Sequence, residues 1–315
     1  MPHRATSALI IRPVPPFRLD LTVWALRRRT RNAIDRWDGT TYRRVIVVGG
    51  RPTELEVHQT GSTAKPRLIA TATPALRTHA ERQSVRCAVD RLLGTQVDLR
   101  EWYRIAEGDR RLRPLAYRFR GMKPPRFPTV FEALVNAIAC QQLSLVVGLE
   151  LLNRLAVVCG IRRGTGARAR YGFPAPSDVA RHPAAAYRTI GFSRQKADAL
   201  QALARGIHDG RIALEELARE DDADVRARLR DLRGVGRWTA EYVLLRGLGR
   251  LHVFPGDDGG AQKSLARWLG RPAPLDYAGV NRALEKWQPF AGMVYFHLLL
   301  DGLSTAGVLD SVAIT

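Results

Sequence analysis

Leu232-Arg233-Gly234-Val235-Gly236-Arg237-Trp238-Thr239-Ala240 joins two segments that read as helix. Glycines at 234 and 236 allow a tight turn and leave backbone N–H groups uncovered at the start of the helix that begins near Arg237. Unpaired donors and the helix dipole both favour an anion, so the turn is a candidate phosphate site, with Val235 tucked into the core to fix the loop. Gly234, Val235, Gly236, Arg237 and Thr239 are the candidate contacts. By itself the pattern also describes an ordinary turn between helices.

Downstream, Val253-Phe254-Pro255-Gly256-Asp257-Asp258 leads into the next helical stretch. Asp257 is expected to be the N-cap of the helix entering at Asp258, and a pair of aspartates here is also what plain capping requires. Upstream, Thr129 and Glu132 have capping-box spacing, which predicts a helix from Thr129 burying Phe131, Leu134, Val135 and Ile138. Further helices are expected near 144–158, 194–208, 212–219, 238–248, 259–269, 277–286 and 290–303, with a loop over Arg162 to Ala175.

The first third reads differently. Strand-like runs at Phe17–Val23, Arg44–Val48, Thr53–Gln59 and Arg67–Thr71 are separated by turn signals such as Gly49-Gly50, and a helix follows from about Ala75 to Leu93. The proline-rich passage Lys123-Pro124-Pro125-Arg126-Phe127-Pro128 marks the change of character. The expected class is α+β, a small α/β domain over 1–115 followed by an all-α domain over 116–315.

Composition limits the partners. The chain has 315 residues, 45% of them apolar, which is enough for real cores, and 50 basic residues against 30 acidic ones give a formal net charge of +20. A basic, arginine-rich surface favours polyanions. Three scattered cysteines, Cys87, Cys140 and Cys159, form neither a disulfide framework nor a metal-ligand set, which fits a reducing cytosol. The apolar stretch Ala8–Ile11 is too short for a signal segment and no run is long enough to span a membrane, so a cytoplasmic location is expected.

On these residues the chain resembles the helix-hairpin-helix DNA glycosylase superfamily. Leu232, Gly234, Val235 and Gly236 meet its hairpin pattern, with Arg233 where a proline is usual. Val253 to Asp258 is similar to the subfamily of bacterial 3-methyladenine DNA glycosylase II, in which the second of two aspartates is catalytic, and this implies Asp258. Arg118–Phe127, Phe131–Val135 and Ala139-Cys140-Gln141-Gln142-Leu143-Ser144 are similar to the start of the same catalytic domain. Gly191–Ala197 and Trp287-Gln288-Pro289-Phe290 extend the likeness, which spans at least Arg118 to Leu303. Weaker similarity around Asp35–Gly39 implies a TATA-binding-protein-like N-terminal domain. Leu299 stands where a tryptophan lines the pocket of a relative, and Ala291 replaces a common arginine.

The resemblance implies a monofunctional glycosylase of base-excision repair acting on alkylated purines, of the 3-methyladenine or 7-methylguanine type, flipped out of duplex DNA. Cleaving an N-glycosidic bond builds positive charge on the sugar, which a carboxylate at Asp258 would stabilise. Trp238 occupies the position where the bifunctional branch has a Schiff-base lysine, and its indole face would attract a cationic base. Tyr242 and Gln141 are implied base-pocket residues. Gln142 is implied to be the wedge that enters the duplex when the nucleotide flips. No organic cofactor is expected, although the Leu232 and Val235 carbonyls are implied to hold a monovalent cation. The absence of a four-cysteine cluster or a zinc-spaced set points away from the iron–sulfur branch and from a regulator fusion. The expected state is a monomer associated with the nucleoid. The alternatives are a bifunctional glycosylase for oxidised purines and a non-catalytic binder of damaged DNA.

Overall fold

A computed structural model describes residues 6–309. Five strands, β1 (Ser7–Ile11), β2 (Arg36–Trp37), β3 (Thr41–Val48), β4 (Arg51–Thr60) and β5 (Arg67–Thr73), form one antiparallel sheet in the order β1-β5-β4-β3-β2. The alternation legible in β4 sets its buried face, with Thr53, Leu55 and Val57 inside and their neighbours partly exposed. Gly49 and Gly50 both have positive φ, 55° and 72°, the conformation that a two-residue hairpin between right-twisted strands needs. Helix α2 (His79–Leu93) packs on the sheet, its Thr78 cap accepting from the Glu81 N–H and Gly94 closing it at φ 58°.

Phe17–Val23, which alternation marks as a strand, is instead the entry to α1 (Leu19–Arg27). Every residue of α1 except Asp20 is buried, so it has no polar face to reveal a helical period, and its apolar, β-branched residues imitate a strand. Sequence reading also passes over α3 (Arg100–Glu107) and α4 (Leu112–Arg118), which bury Trp102, Leu112 and Leu115.

From residue 129 to 309 the chain is mainly helical. Thr129 caps α5 (Val130–Cys140) by accepting from the Glu132 N–H at 3.0 Å, as its spacing predicts. Then come α6 (Leu145–Cys159), a loop carrying the two-residue strands β6 (Arg162–Arg163) and β7 (Arg170–Tyr171), and the short helices α7 (Pro176–Ala180) and α8 (Ala184–Thr189). They are followed by α9 (Arg194–His208), α10 (Asp222–Arg230), α11 (Arg237–Val243), α12 (Gly259–Trp268), α13 (Tyr277–Leu284) and α14 (Ala291–Thr305). The helix expected over 212–219 is only a 3-10 turn, Glu215–Arg219, and α11 relaxes into a π-helical turn, Leu244–Leu248.

Two apolar clusters hold this together. One joins the sheet and α2 to α5, α6, α9 and Val235, and the other joins α1, α3 and α4 to α12–α14. Each draws on both the first third of the chain and the helical remainder. Arg246, fully buried, donates to the Ala25 and Leu26 carbonyls and ties α1 to the π-helical turn.

Candidate active site

The hairpin is α10, a turn, and α11. Gly234 has φ 79°, and a Cβ there would stand 2.9 Å from the Ala199 Cβ, so both backbone and packing require glycine. Val235 is 8% exposed and enters the core, as expected. Gly236 is the extended N-cap of α11, and nothing lies within 4 Å of where its Cβ would be. Gln141, at the end of α5, donates from Nε2 to the Gly234 carbonyl at 2.8 Å and to the Thr239 hydroxyl at 2.9 Å. This corrects the expectation for Thr239, whose side chain is buried and braces the hairpin instead of facing a phosphate.

Asp258, not Asp257, is the N-cap of α12. Its Oδ1 accepts from the Ala261 N–H at 2.9 Å, three residues on, the reach a capping carboxylate has. Asp257 sits one residue too early and turns to Arg237, whose Nε and Nη2 donate to it at 2.6 and 2.9 Å. The Arg237 guanidinium also lies 3.8 Å from the centre of the Tyr277 ring. The loop before Asp258 is pinned by Glu241, which accepts from the Gly256 N–H at 3.0 Å and the Tyr277 hydroxyl at 2.5 Å. Burial raises the Glu241 carboxyl above the ordinary range.

The second oxygen of Asp258 accepts from Trp238 Nε1 at 3.3 Å and from the Tyr295 hydroxyl at 3.1 Å. Burial, and then the Asp258 charge, push Tyr295 well above the usual phenol value, so it remains a donor. Trp238 and Tyr242 rings lie 5.5 Å apart at 36°, on one face of α11. These groups line one cleft of about 1340 Å³, which Gly234, Gly236, Gln141, Gln142 and Leu299 also border. Ala291 is buried at the start of α14. Gln142 is exposed at φ 53°, beside the exposed apolar side chains of Leu143, Val146 and Val147.

Sequence reading missed Tyr295, Arg28 and Lys196, all on the same cleft. Tyr295 lies four residues before Leu299 on α14, so helical spacing from a residue already singled out would have found it. Arg28 closes α1 and had no local signal. Its Nη1 donates to the Tyr242 hydroxyl at 2.8 Å and its Nη2 to Asn136 Oδ1 at 2.7 Å. Lys196 Nζ donates to the Ala139 and Gln141 carbonyls at 3.1 and 2.6 Å and closes the end of α5, and burial lowers its proton affinity. Among the described residues no His/Cys/Asp/Glu group is arranged to hold a metal ion, and no helix is long and apolar enough to cross a membrane.

A helix-hairpin-helix beside a cleft with a fixed aspartate defines a class of nucleic-acid repair proteins. The profile of the HhH-GPD superfamily of base excision DNA repair proteins matches residues 135–289, and the chain belongs to that superfamily. It is 27% identical over 205 residues to a DNA-3-methyladenine glycosylase of Bacillus subtilis, covering 64% of this chain and 68% of that one. The solved 3-methyladenine DNA-glycosylase of Archaeoglobus fulgidus superposes with a TM-score of 0.82 at 27% identity, over 93% of this chain and 97% of that one. Mag1, a 3-methyladenine DNA glycosylase of Schizosaccharomyces pombe solved with abasic DNA, has a TM-score of 0.55 at 25% identity, covering 63% of this chain and 95% of its own.

Proposed function

We propose that this chain is a DNA glycosylase of base-excision repair that removes alkylated bases by hydrolysis, without cutting the strand. The observation that carries the reading is the Asp258 carboxylate, fixed by three donors on the cleft that Trp238 and Tyr242 also line. A base stacked on those rings would place its sugar near the carboxylate. As the C1′–N bond opens, positive charge grows on the sugar, and a carboxylate already oriented stabilises it without reorganising. The relatives' names supply the alkylated substrate class.

The remaining roles follow the same reading. The exposed glycines Gly234 and Gly236 and Arg237 would grip duplex phosphates, Gln142 would fill the space of the flipped nucleotide, and Gln141 would hold the hairpin against α5. Leu232 and Val235 carbonyls are oxygen donors of the kind a monovalent cation takes, although the Leu232 carbonyl also accepts the Val235 N–H. We read 1–115 as a TATA-binding-protein-like domain bracing the helical one, on the support of its five-stranded antiparallel sheet. A monomer acting on nucleoid DNA in the cytoplasm completes the proposal, since one flipped base needs one site.

Base release from methylated duplex DNA by the wild type and by Asp258→Asn tests it. Asparagine still caps a helix, so the variant is expected to fold and bind but to release base at least about a thousandfold more slowly. Equal activity would remove Asp258 from the chemistry, and no release by either protein would favour a damage binder.

A second reading, glycosylase with lyase activity, is favoured by one observation: the Lys196 amine borders the cleft with lowered proton affinity. Its two carbonyl bonds argue against a free nucleophile. Borohydride trapping on lesion DNA separates the two, a covalent adduct establishing the lyase.

A further inference from the structure

Among the described residues, the only two non-glycine positions with positive φ are Gln142 and Arg28, and both border the cleft. Arg28, at φ 63°, closes α1 in a left-handed conformation that costs on the order of 1 kcal/mol, and its side chain is carried into the interior with 5% exposure. Its hydrogen bonds are to neutral groups, the oxygens of Tyr242 and Asn136 and the thiol of Cys140, rather than to a carboxylate. Its Nε is buried without a partner. The guanidinium thus sits against the Tyr242 hydroxyl on the cleft with no anion hydrogen-bonded to it, the Asp35 carboxylate acting on it only through space, and desolvation strengthens its field.

We infer that Arg28 makes this pocket selective for neutral alkylated bases in preference to cationic ones; the inference rests on the glycosylase reading above. Two effects act in the same direction. A base made cationic by alkylation at N3 or N7 is repelled by the guanidinium, which opposes its cation–π attraction to Trp238. Departure differs as well. When the C1′–N bond breaks, its electron pair leaves on the base nitrogen. A cationic base becomes neutral, whereas a neutral base becomes an anion until it gains a proton. Water adds to C1′, and the proton it loses balances the base that is released. The Arg28 guanidinium, close to the departing base, stabilises the developing anion and gives nothing to a base that leaves neutral.

The test measures single-turnover release of 1,N6-ethenoadenine, neutral near pH 7, and of 7-methylguanine, cationic as the nucleotide, from matched duplexes. Each rate is divided by its spontaneous rate. The wild type is expected to accelerate the neutral lesion at least about tenfold more than the cationic one. Arg28→Gln is expected to lower that ratio at least about tenfold, and Arg28→Lys, which keeps the charge, to hold it within about threefold. Equal accelerations by the wild type, or a ratio insensitive to Arg28→Gln, would overturn the assignment. Should Arg28→Gln fail to fold, the wild-type comparison decides. Release of neither lesion by the wild type would instead reject the glycosylase reading, and this one with it.

Discussion

Trp238 and Asp258 stand twenty residues apart in the chain, and the indole Nε1 of one donates to the carboxylate of the other at 3.3 Å. The contact exists because the loop after the π-helical turn comes back to the start of α11 before it enters α12, its path set by Glu241 holding the Gly256 N–H and by Gln262 Nε2 donating to the Gly256 carbonyl at 2.7 Å. The aspartate therefore does two things at once. One oxygen caps α12, and the other, with two donors on it, faces the cleft.

Removing those donors singly should weaken catalysis in steps. A hydrogen bond to a charged group contributes about 1.5–3 kcal/mol, so Tyr295→Phe and Trp238→Phe are each expected to slow single-turnover base release by about ten- to a hundredfold. Binding to undamaged duplex should stay within about threefold, because neither side chain belongs to the Gly234–Gly236 turn. A Tyr295→Phe enzyme with wild-type rates would show that the hydroxyl does not help hold Asp258.

The two hairpin glycines should behave oppositely. Gly234→Ala meets both a left-handed backbone and the Ala199 Cβ at 2.9 Å, and is expected to cost about 1–3 kcal/mol of stability. Gly236 has open space and an ordinary φ of −100°, so Gly236→Ala is expected to leave stability within about 0.5 kcal/mol. If its bareness serves the close approach of a phosphate, duplex affinity should still drop about tenfold. Thermal melts with a duplex-binding titration check both; unchanged affinity in Gly236→Ala would leave that glycine without a role at the backbone.

What could be read beforehand follows from where the signals lie. The turn at 234–236 was legible because glycine spacing and the following helix are local, and β4 because its alternation survives on a sheet with one buried face. Helix α1 was not, because burial on all sides erases the period by which a helix is recognised. The same logic separates the site residues. Asp258 and Trp238 sit in compact motifs, whereas Arg28 reaches Tyr242 across 214 positions of sequence, and nothing local marks a contact made only by folding. The cap was assigned one residue early, since either aspartate satisfies the pattern and only the three-residue reach to Ala261 distinguishes them.

Gln142 gives a further prediction. It is exposed in a strained left-handed conformation, which a residue with no role beyond the turn would cede to glycine or asparagine. Gln142→Ala removes the side chain without adding bulk, and is expected to slow release from a duplex by about tenfold or more, since an unfilled gap lets the flipped base return. Release from single-stranded DNA, where no gap opens, should change by less than about threefold. Equal losses on both substrates would remove the wedge role.

His297 couples the site to pH through stability. It is fully buried on α14, its ring centre 5.1 Å from that of Trp102 at a tilt of 46°, and burial lowers its pKa to about 4 from 6.5, with Nδ1 held by the Met293 carbonyl at 2.7 Å. Between these values the unfolded chain binds more protons than the folded one, so stability rises with pH across this window. The contribution of neutral His297 is complete above pH 6.5 and is lost as pH falls toward 4, amounting to about 3 kcal/mol at the end. Glu132, raised to about 7 chiefly by burial beside Arg44, works in the opposite sense over an overlapping range. A single acid curve therefore does not isolate either group. The difference between wild type and His297→Phe does: it should be flat above pH 6.5 and shift progressively in favour of the variant below it. Parallel curves from pH 7 to 4 would exclude His297. Because Tyr295 lies two residues away on α14, release of base should fall over the same acid range as the helix loosens, and the variant should hold its rate to lower pH than the wild type.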